Sequence, residues 1–552
     1  MPRRHSLSRY REISAILARH GLGWILLQLR LGDLVPFHKG WLGHARREAP
    51  YTQPEHFRLA MEDLGVVFIK MGQILSTRPD LLPPEYITEF ARLQDAAPPV
   101  AYAEIAPIIE TELGSPAETL FAEIGRIPRA SASIGQVHSA RLADGRRVIV
   151  KVQRPGVEPA VERDLAVLAD LARLAGRRTW LGEYYDLEGW VEEFAFTLRN
   201  ELDYTREAHN AEVFRRNFAS DRTVYIPRIL WDLTTRRVLT MEEIEGIKVS
   251  DLTALEAAGY DRRRIAENSV RLLLTETFEH GFFHADPHPG NFFILPGEVI
   301  GPVDFGMVGR LDETLQDSLL RLALALMLED SDRLVDELLS LGVVPGRIRR
   351  AALKRDLAHW ISSYAGRPIG EMAAGEAMNE MMAVAFRHHL QLPTDLVLLT
   401  KVVGMSEGLG AALDPEFKLL EFAQPYLRRF QLRRLSPGRL ARKLAPGMLD
   451  LTDLGLALPQ RLRRLLGELE RGDLTITAHH EGLEELSAQL QRAANRLAMS
   501  VLTAALIIGL GVLMLVYHPP GWATWGGWLF ALSFLTAVGM GLWLLGSIWR
   551  SR

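Results

Sequence analysis

One stretch of this 552-residue chain concentrates residues suited to phosphoryl chemistry: His284-Ala285-Asp286-Pro287-His288-Pro289-Gly290-Asn291, followed by Asp304-Phe305-Gly306. Moving a phosphoryl group needs little covalent help from a protein. It needs positioned Mg2+ and neutralised phosphate charge. Mg2+ prefers hard oxygen ligands, so a carboxylate and an amide oxygen from adjacent loops can clamp it. Asp304 and Asn291 are read as those metal ligands, and the short interval between them suits a hairpin. Asp286 is read as the group that orients an attacking hydroxyl or water. His284 and His288 have a spacing that binds zinc on a helix, but Pro287, Pro289 and Gly290 oppose a helix there. The expectation for His284 is hydrogen bonding to the main chain, which would fix the loop.

A second chemical element lies upstream. Val148-Ile149-Val150-Lys151-Val152 reads as an apolar strand carrying one lysine. A lysine in a buried strand needs a partner, whereas one on an edge strand would reach solvent. The combination of Asp-x4-Asn, Asp-Phe-Gly and an upstream strand lysine resembles protein kinases, where that lysine meets the α- and β-phosphates and a helix glutamate. The residues alone leave the glutamate open, since Glu158, Glu162 and Glu207 compete. Ala130-Ser131-Ala132-Ser133-Ile134-Gly135-Gln136 occupies the slot of the nucleotide loop but lacks Gly-x-Gly-x-x-Gly. Small residues still permit close backbone approach to phosphates, and the extra Cβ atoms make such a loop stiffer. Met241-Glu242-Glu243-Ile244-Glu245-Gly246 suits a hinge whose backbone groups bond an adenine edge, with Glu242 as the candidate nucleotide-binding position.

The elements that must hold these groups read as mixed α/β and then α. Strands are expected at Arg147–Val152, Val224–Ile229 and Val238–Met241, and helices at Glu162–Ala175, Glu188–Phe218 and Arg264–Glu279. After about Glu313 nearly everything reads as helix. No Ala-Pro-Glu follows Asp304, so the activation segment is expected to be short.

Four further features resemble the UbiB family of atypical kinases, the ADCK-like proteins. They are Lys70-Met71-Gly72-Gln73 in an N-terminal helix, the alanine-rich loop Ala130–Gln136, Glu201-Leu202-Asp203-Tyr204 with Glu207 beyond, and the His-x-Asp-Pro-His-Pro-Gly-Asn loop. The resemblance runs from about Pro54 to Phe422, and the C-terminal end also looks like bacterial members. It implies an α+β, atypical protein-kinase-like two-lobed fold with ATP and Mg2+ as cofactors. It selects Glu207 as the partner of Lys151. It also implies that Lys70 and Gln73 fold over the nucleotide site, with Lys70 meeting Glu201 and Asp203, where protein kinases admit a peptide. From the residues alone, Lys70 could equally be a solvated surface lysine. The function implied is an ATPase or small-molecule kinase supporting ubiquinone biosynthesis, with quinone precursors or quinone-synthesis enzymes as partners. The alternatives are a protein kinase acting on a membrane partner and a nucleotide-gated, non-catalytic scaffold. Arg129 precedes the alanine-rich loop and Ser131 interrupts it; neither is given a role.

Composition bounds the rest. With 64 Lys+Arg against 68 Asp+Glu, the net charge of -4 gives no nucleic-acid signature. The absence of cysteine excludes disulfides, thiolate metal sites and a cysteine nucleophile. The basic start Met1-Pro2-Arg3-Arg4-His5 is not followed by the apolar core of a cleaved targeting segment. Ala498 to Tyr517 is uncharged and mostly apolar; after His518-Pro519-Pro520-Gly521 a second such run reaches about Trp549. Each run is long enough for a membrane-crossing helix. Arg492, Arg496, Arg550 and Arg552 flank the pair, which places both ends and the catalytic body on the cytoplasmic side of the inner membrane. Arg428 to Lys443 and Arg461 to Arg464 are basic, either attracted to anionic lipid or forming a solvated helix face. Leu483, Leu486, Leu490, Ala493 and Leu497 form an amphipathic helix that packs on the body or supports a homodimer. The expected organisation is a helical extension at 1–115, an N-lobe at 116–246, a helical C-lobe at 247–425, a basic linker at 426–497 and a C-terminal transmembrane helical hairpin at 498–552.

Overall fold

The structure is a computed structural model. It describes residues 4–22, 52–76, 82–93, 97–178, 186–328, 330–342, 349–364, 373–388, 390 and 392–434, with scattered positions between 497 and 539. The chain divides into two compact units, Met1–Leu440 and Ala441–Arg552. The linker from residue 435 and most of the expected membrane hairpin lie outside the described residues. Among the described positions of the second unit, Val501, Ile508, Val512, Val516, Trp528 and Leu535 are exposed.

The first unit contains an antiparallel sheet of β1 (Glu123–Ile124), β2 (Ala130–Ser131), β3 (Gly135–Arg141), β4 (Arg147–Gln153) and β5 (Val238–Glu242). The order is β1-β3-β4-β5, with β2 also paired to β3. Strand alternation decides where the chemistry faces. Val148, Val150 and Val152 pack with Ile105, Ile108 and Ile109 of the Tyr102–Leu113 helix. Lys151 therefore points to the opposite face. Because that helix shares the sheet's core, the N-lobe begins before residue 116.

Helices Val157–Arg178, Leu187–Glu201 and Tyr204–Asn217 lie between β4 and β5. They account for the long sequence separation of Lys151 from Glu207. The expected single helix over Glu188–Phe218 is broken at Leu202-Asp203. There Asp203 acts as N-cap and accepts a 3.1 Å bond from the Thr205 amide, which starts a new helix. The expected strand Val224–Ile229 is also absent; the segment makes isolated bridges, Val224 to Ile300 and Ile229 to Met241. Helices Arg4–Arg19, Gln53–Leu64, Val66–Leu75 and Pro84–Phe90 form the N-terminal extension. Their apolar faces share a core with Ile134, Leu198 and Leu202. A buried Arg9–Asp164 pair, at 2.7 Å, ties the first helix to Val157–Arg178.

The helical lobe holds β6 (Ile247–Lys248), β7 (Phe282–His284), β8 (Phe292–Leu295), β9 (Val299–Pro302) and β10 (Val308–Arg310). These form two small sheets, β7 with β10 and β6-β8-β9. Helices Arg262–Thr275 and Glu313–Met327 start on Asp261 and Asp312, whose side chains accept from the Arg264 and Leu315 amides. The later helices are Ser331–Leu341, Arg350–Tyr364, Ala374–Arg387, Thr394–Leu413 and Leu419–Arg434. The last one crosses residue 425, so the lobe continues beyond the expected boundary. Thr394–Leu413 is long and apolar enough to cross a membrane by length and composition, yet half of it is buried within the protein. Leu396, Leu399 and Val402 sit in one core, and Leu409 and Leu413 in another.

Candidate active site

Lys151 Nζ lies 2.8 and 3.0 Å from the two carboxylate oxygens of Glu207 and 3.4 Å from Asp304 Oδ1. The rival glutamates are engaged elsewhere: Glu158 pairs with Arg236 and Glu162 with Arg199. Burial disfavours the Lys151 ammonium, but Asp304 and Glu207 outweigh it and hold the lysine well above its ordinary range. Burial pushes the Glu207 carboxyl up to about 7, against the pull of Lys151. Lys151 in turn holds the Asp304 carboxyl below the usual range.

Hairpin β8–β9, registered with Phe292 opposite Pro302, brings the two ends of the catalytic segment together. The Val303 amide donates to Asn291 O at 2.8 Å. Asn291 Nδ2 donates to Asp286 O at 3.2 Å, which turns its side-chain oxygen away from that contact. Asp304 is half exposed and has a left-handed backbone, φ 62°. Aspartate tolerates that region better than most residues, but it carries strain and is held here by its surroundings. The Gly306 amide lies 3.4 Å from Asp304 Oδ1, and Phe305 is fully buried against Phe214 and His284. An aspartate and an amide oxygen on adjacent backbones fit Mg2+, which is bound by one or two carboxylates together with substrate phosphates.

Both histidines of the catalytic loop serve the main chain. His284 Nδ1 accepts from the Asp286 amide at 3.2 Å, and its Nε2 meets Val303 O at 3.1 Å. Burial lowers the His284 pKa, which suits this neutral arrangement. His288 Nδ1 accepts from the Gly290 amide at 3.1 Å. A zinc role would break these bonds. Asp286 Oδ1 meets Lys401 Nζ at 3.3 Å.

The alanine-rich loop is stiffened by Arg154. The arginine donates to Ala132 O and Ser131 Oγ, both at 2.8 Å, and to Pro98 O at 2.6 Å. Ala130 and Ser131 form β2, but Ser133, Ile134 and Gln136 turn their side chains inward. Ile134 joins the core of the N-terminal extension. Gln136 does not reach toward a nucleotide: its side chain bonds both main-chain groups of Val100, at 3.0 and 3.1 Å. Only the loop's backbone and its small residues can approach phosphates. At the hinge, the Glu242 side chain turns to the Arg228 amide at 3.3 Å, leaving main chain to meet an adenine. Its neighbour Glu243 is buried and paired with Arg129 at 2.6 Å and Arg147 at 3.0 Å. Arg129 thereby gains the role that sequence reasoning left blank: it ties the nucleotide loop's strand to the hinge.

Lys70 is buried and paired with Glu201. It sits on the Val66–Leu75 helix, and its charge also helps to lower the Asp304 pKa. The rest of the motif holds that helix down. A Cβ on Gly72 would stand 2.2 Å from Leu93 Cδ1, and Gln73 Nε2 donates to Leu93 O at 3.2 Å. Gln73 and Asp203 therefore shape the site through neighbouring residues, Asp203 as the cap of the Glu207 helix. Sequence reasoning missed Lys401, Arg154 and Asn210. Lys401 carried a usable signal, a lone lysine in an apolar helix, and such a charge needs a partner.

The chain is similar to known proteins over most of its length. Residues 92–338 match the ABC1 atypical kinase-like domain, 357–418 the UbiB helical domain and 481–550 the ABC1/UbiB kinase-like C-terminal domain. A "Probable protein kinase UbiB" from Cellvibrio japonicus is 35% identical over 516 residues, 90% of this chain and 91% of that protein. One from Azotobacter vinelandii is 35% identical over 537 residues, 96% of this chain and 95% of that protein. The Synechocystis protein sll1770, described as uncharacterized, is 33% identical over 490 residues, 86% of this chain and 84% of its own. The solved structure of Mycobacterium tuberculosis Rv3197 with erythromycin aligns with a TM-score of 0.46 at 23% identity, covering 66% of this chain and 93% of that one. With kinase-type lysine, glutamate and aspartate gathered at one site, and with relatives matched along nearly their whole length, the chain belongs to the UbiB family of atypical kinase-like proteins.

Proposed function

We propose that this protein is an ATP- and Mg2+-dependent enzyme of the phosphotransferase class, an ATPase or small-molecule kinase, that supports ubiquinone biosynthesis at the cytoplasmic membrane. The observation that carries the reading is the contact of Lys151 with both Glu207 and Asp304. In this reading Lys151 holds the α- and β-phosphates, and Asp304 and Asn291 hold Mg2+. The metal, when bound, neutralises phosphate charge. Asp286 orients the acceptor. In this reading the Val66–Leu75 helix, latched through Lys70 and Glu201, takes the approach a peptide would use, which favours water or a small acceptor over a protein. The resemblance to the UbiB family supplies the quinone connection.

Membrane attachment belongs to the same proposal. Its support is the pair of uncharged C-terminal runs with flanking arginines, and the exposed apolar positions among them. Purified full-length protein should hydrolyse ATP, and Asp304→Asn should reduce turnover by about 100-fold or more. Equal turnover in both proteins would remove Asp304 from the mechanism. Deletion of the gene should lower ubiquinone and accumulate its precursors; unchanged levels would sink the pathway assignment.

A further inference from the structure

The catalytic loop from His284 to Asn291 contains no lysine or arginine. A carboxylate that orients an acceptor beside a polyphosphate needs a nearby cation, because carboxylate and phosphate repel each other. Here the cation comes from outside the kinase-like segment. Lys401 lies on Thr394–Leu413, within the residues that match the UbiB helical domain, and places Nζ 3.3 Å from Asp286 Oδ1. Both side chains remain about one-third exposed, so the pair borders the cleft. Among the described residues, Asp286 Oδ2 has no hydrogen bond.

The helix that delivers Lys401 is fixed on both sides of its first turns. Leu396, Leu399 and Val402 share a core with Phe283 and Ala285, the residues leading into Asp286. Asp395 Oδ1 accepts from the Arg310 amide at 3.1 Å and so holds β10, the strand that follows Asp304-Phe305-Gly306. One helix therefore braces both the catalytic loop and the short segment after the metal-binding aspartate.

We propose that Lys401 is a positioning residue for the transfer step, through which the helical domain completes the active site. It holds Asp286 Oδ1 so that Oδ2 faces the acceptor, and it offsets the repulsion between Asp286 and the terminal phosphate. The acceptor oxygen bonds to the terminal phosphorus as the bond from that phosphorus to the bridging oxygen breaks. The electron pair leaves with the nucleoside diphosphate. The acceptor proton passes to Asp286 Oδ2 and, when water is the acceptor, on to the released phosphate. This inference rests on the ATP-dependent reading above.

The test compares wild type, Lys401→Met, Lys401→Arg and Asp304→Asn as full-length protein in detergent. ATP turnover and affinity for a fluorescent ATP analogue are both measured. Lys401→Met should lower kcat by about 100-fold, the scale of losing one positioned charge at a transfer site, while analogue affinity and KM stay within about twofold. Lys401→Arg should recover most of the loss. A purely structural role would shift kcat, affinity and melting temperature together and would show no rescue by arginine. If Lys401→Met turns over ATP like wild type while Asp304→Asn does not, the inference fails and the reading of the site stands. If wild type and Asp304→Asn are equal, the ATP-turnover reading fails and the inference falls with it.

Discussion

Asn210 Nδ2 donates a 3.0 Å hydrogen bond to the main-chain carbonyl of Phe305. This bond joins the Tyr204–Asn217 helix, which carries Glu207, to the backbone that carries Asp304. Phe214, one turn further along that helix, packs its ring 5.1 Å from that of Phe305. The partner of Lys151 and Asp304, the proposed metal ligand, are thus mounted on elements locked to each other. Asn210→Ala removes the polar half of the lock and leaves the Phe305 carbonyl unmatched, at a cost of about 1 to 2 kcal/mol. The strained Asp304 backbone depends on such support. The Mg2+ concentration for half-maximal ATP turnover should rise by about tenfold, read from Mg2+ titrations of the purified variant. An unchanged Mg2+ dependence would mean that the bond does not orient Asp304.

Glu276 is a buried carboxyl in the π-helical turn Glu276–His280, beneath the catalytic loop. One oxygen accepts from the His284 amide at 3.2 Å and the other has no partner among the described residues. Burial raises its pKa to about 8 from an ordinary 4.5. Between those values the folded protein binds a proton that the unfolded chain has released. Stability therefore falls as pH rises through this range and stays at the lower level above it. Glu276→Gln can keep the bond to His284 and has no charge to bury. Thermal unfolding of full-length protein at pH 6 and pH 9 should show a wild-type loss that the Glu276→Gln substitution largely removes, amounting to a few kcal/mol at most. Parallel losses in both proteins would assign the pH dependence to other groups.

The chemistry was legible where a residue type, a spacing and an element agreed. Asp286, Asn291 and Asp304 could be read because loop and hairpin are local, and the structure joins them across β8–β9. Lys151 could be read because a charge in an apolar strand needs a partner. Its partner could not, since Glu207 arrives through two intervening helices that put it far away in sequence. The split of Glu188–Phe218 was missed because hydrophobic periodicity runs across Leu202-Asp203, while Asp203 stops one helix and caps the next. Gln136 was placed among nucleotide contacts by its position in the loop, but strand alternation turns it onto Val100. Lys401 lies 115 residues from Asp286, and only the packed helical lobe brings them together.

Gly135 and Tyr204 offer a direct check on how tightly the nucleotide loop is seated. A Cβ on Gly135 would stand 2.1 Å from the Tyr204 hydroxyl and 2.7 Å from Val152 O. The Tyr204 ring lies beneath Lys151, with Nζ 5.2 Å from its centroid, and its buried hydroxyl has no hydrogen-bond partner among the described residues. Gly135→Ala should therefore destabilise by about 2 to 3 kcal/mol through overpacking next to the loop. Tyr204→Phe removes an unmatched buried hydroxyl and should be neutral or stabilising by about 1 kcal/mol. The double variant should recover part of the Gly135→Ala loss, because one of its two clashes is gone. Recovery should stop short of wild type, because Val152 O is backbone and stays in place. Denaturant midpoints of the four proteins measure this coupling directly. Strictly additive effects would show that the Gly135→Ala methyl never meets the hydroxyl.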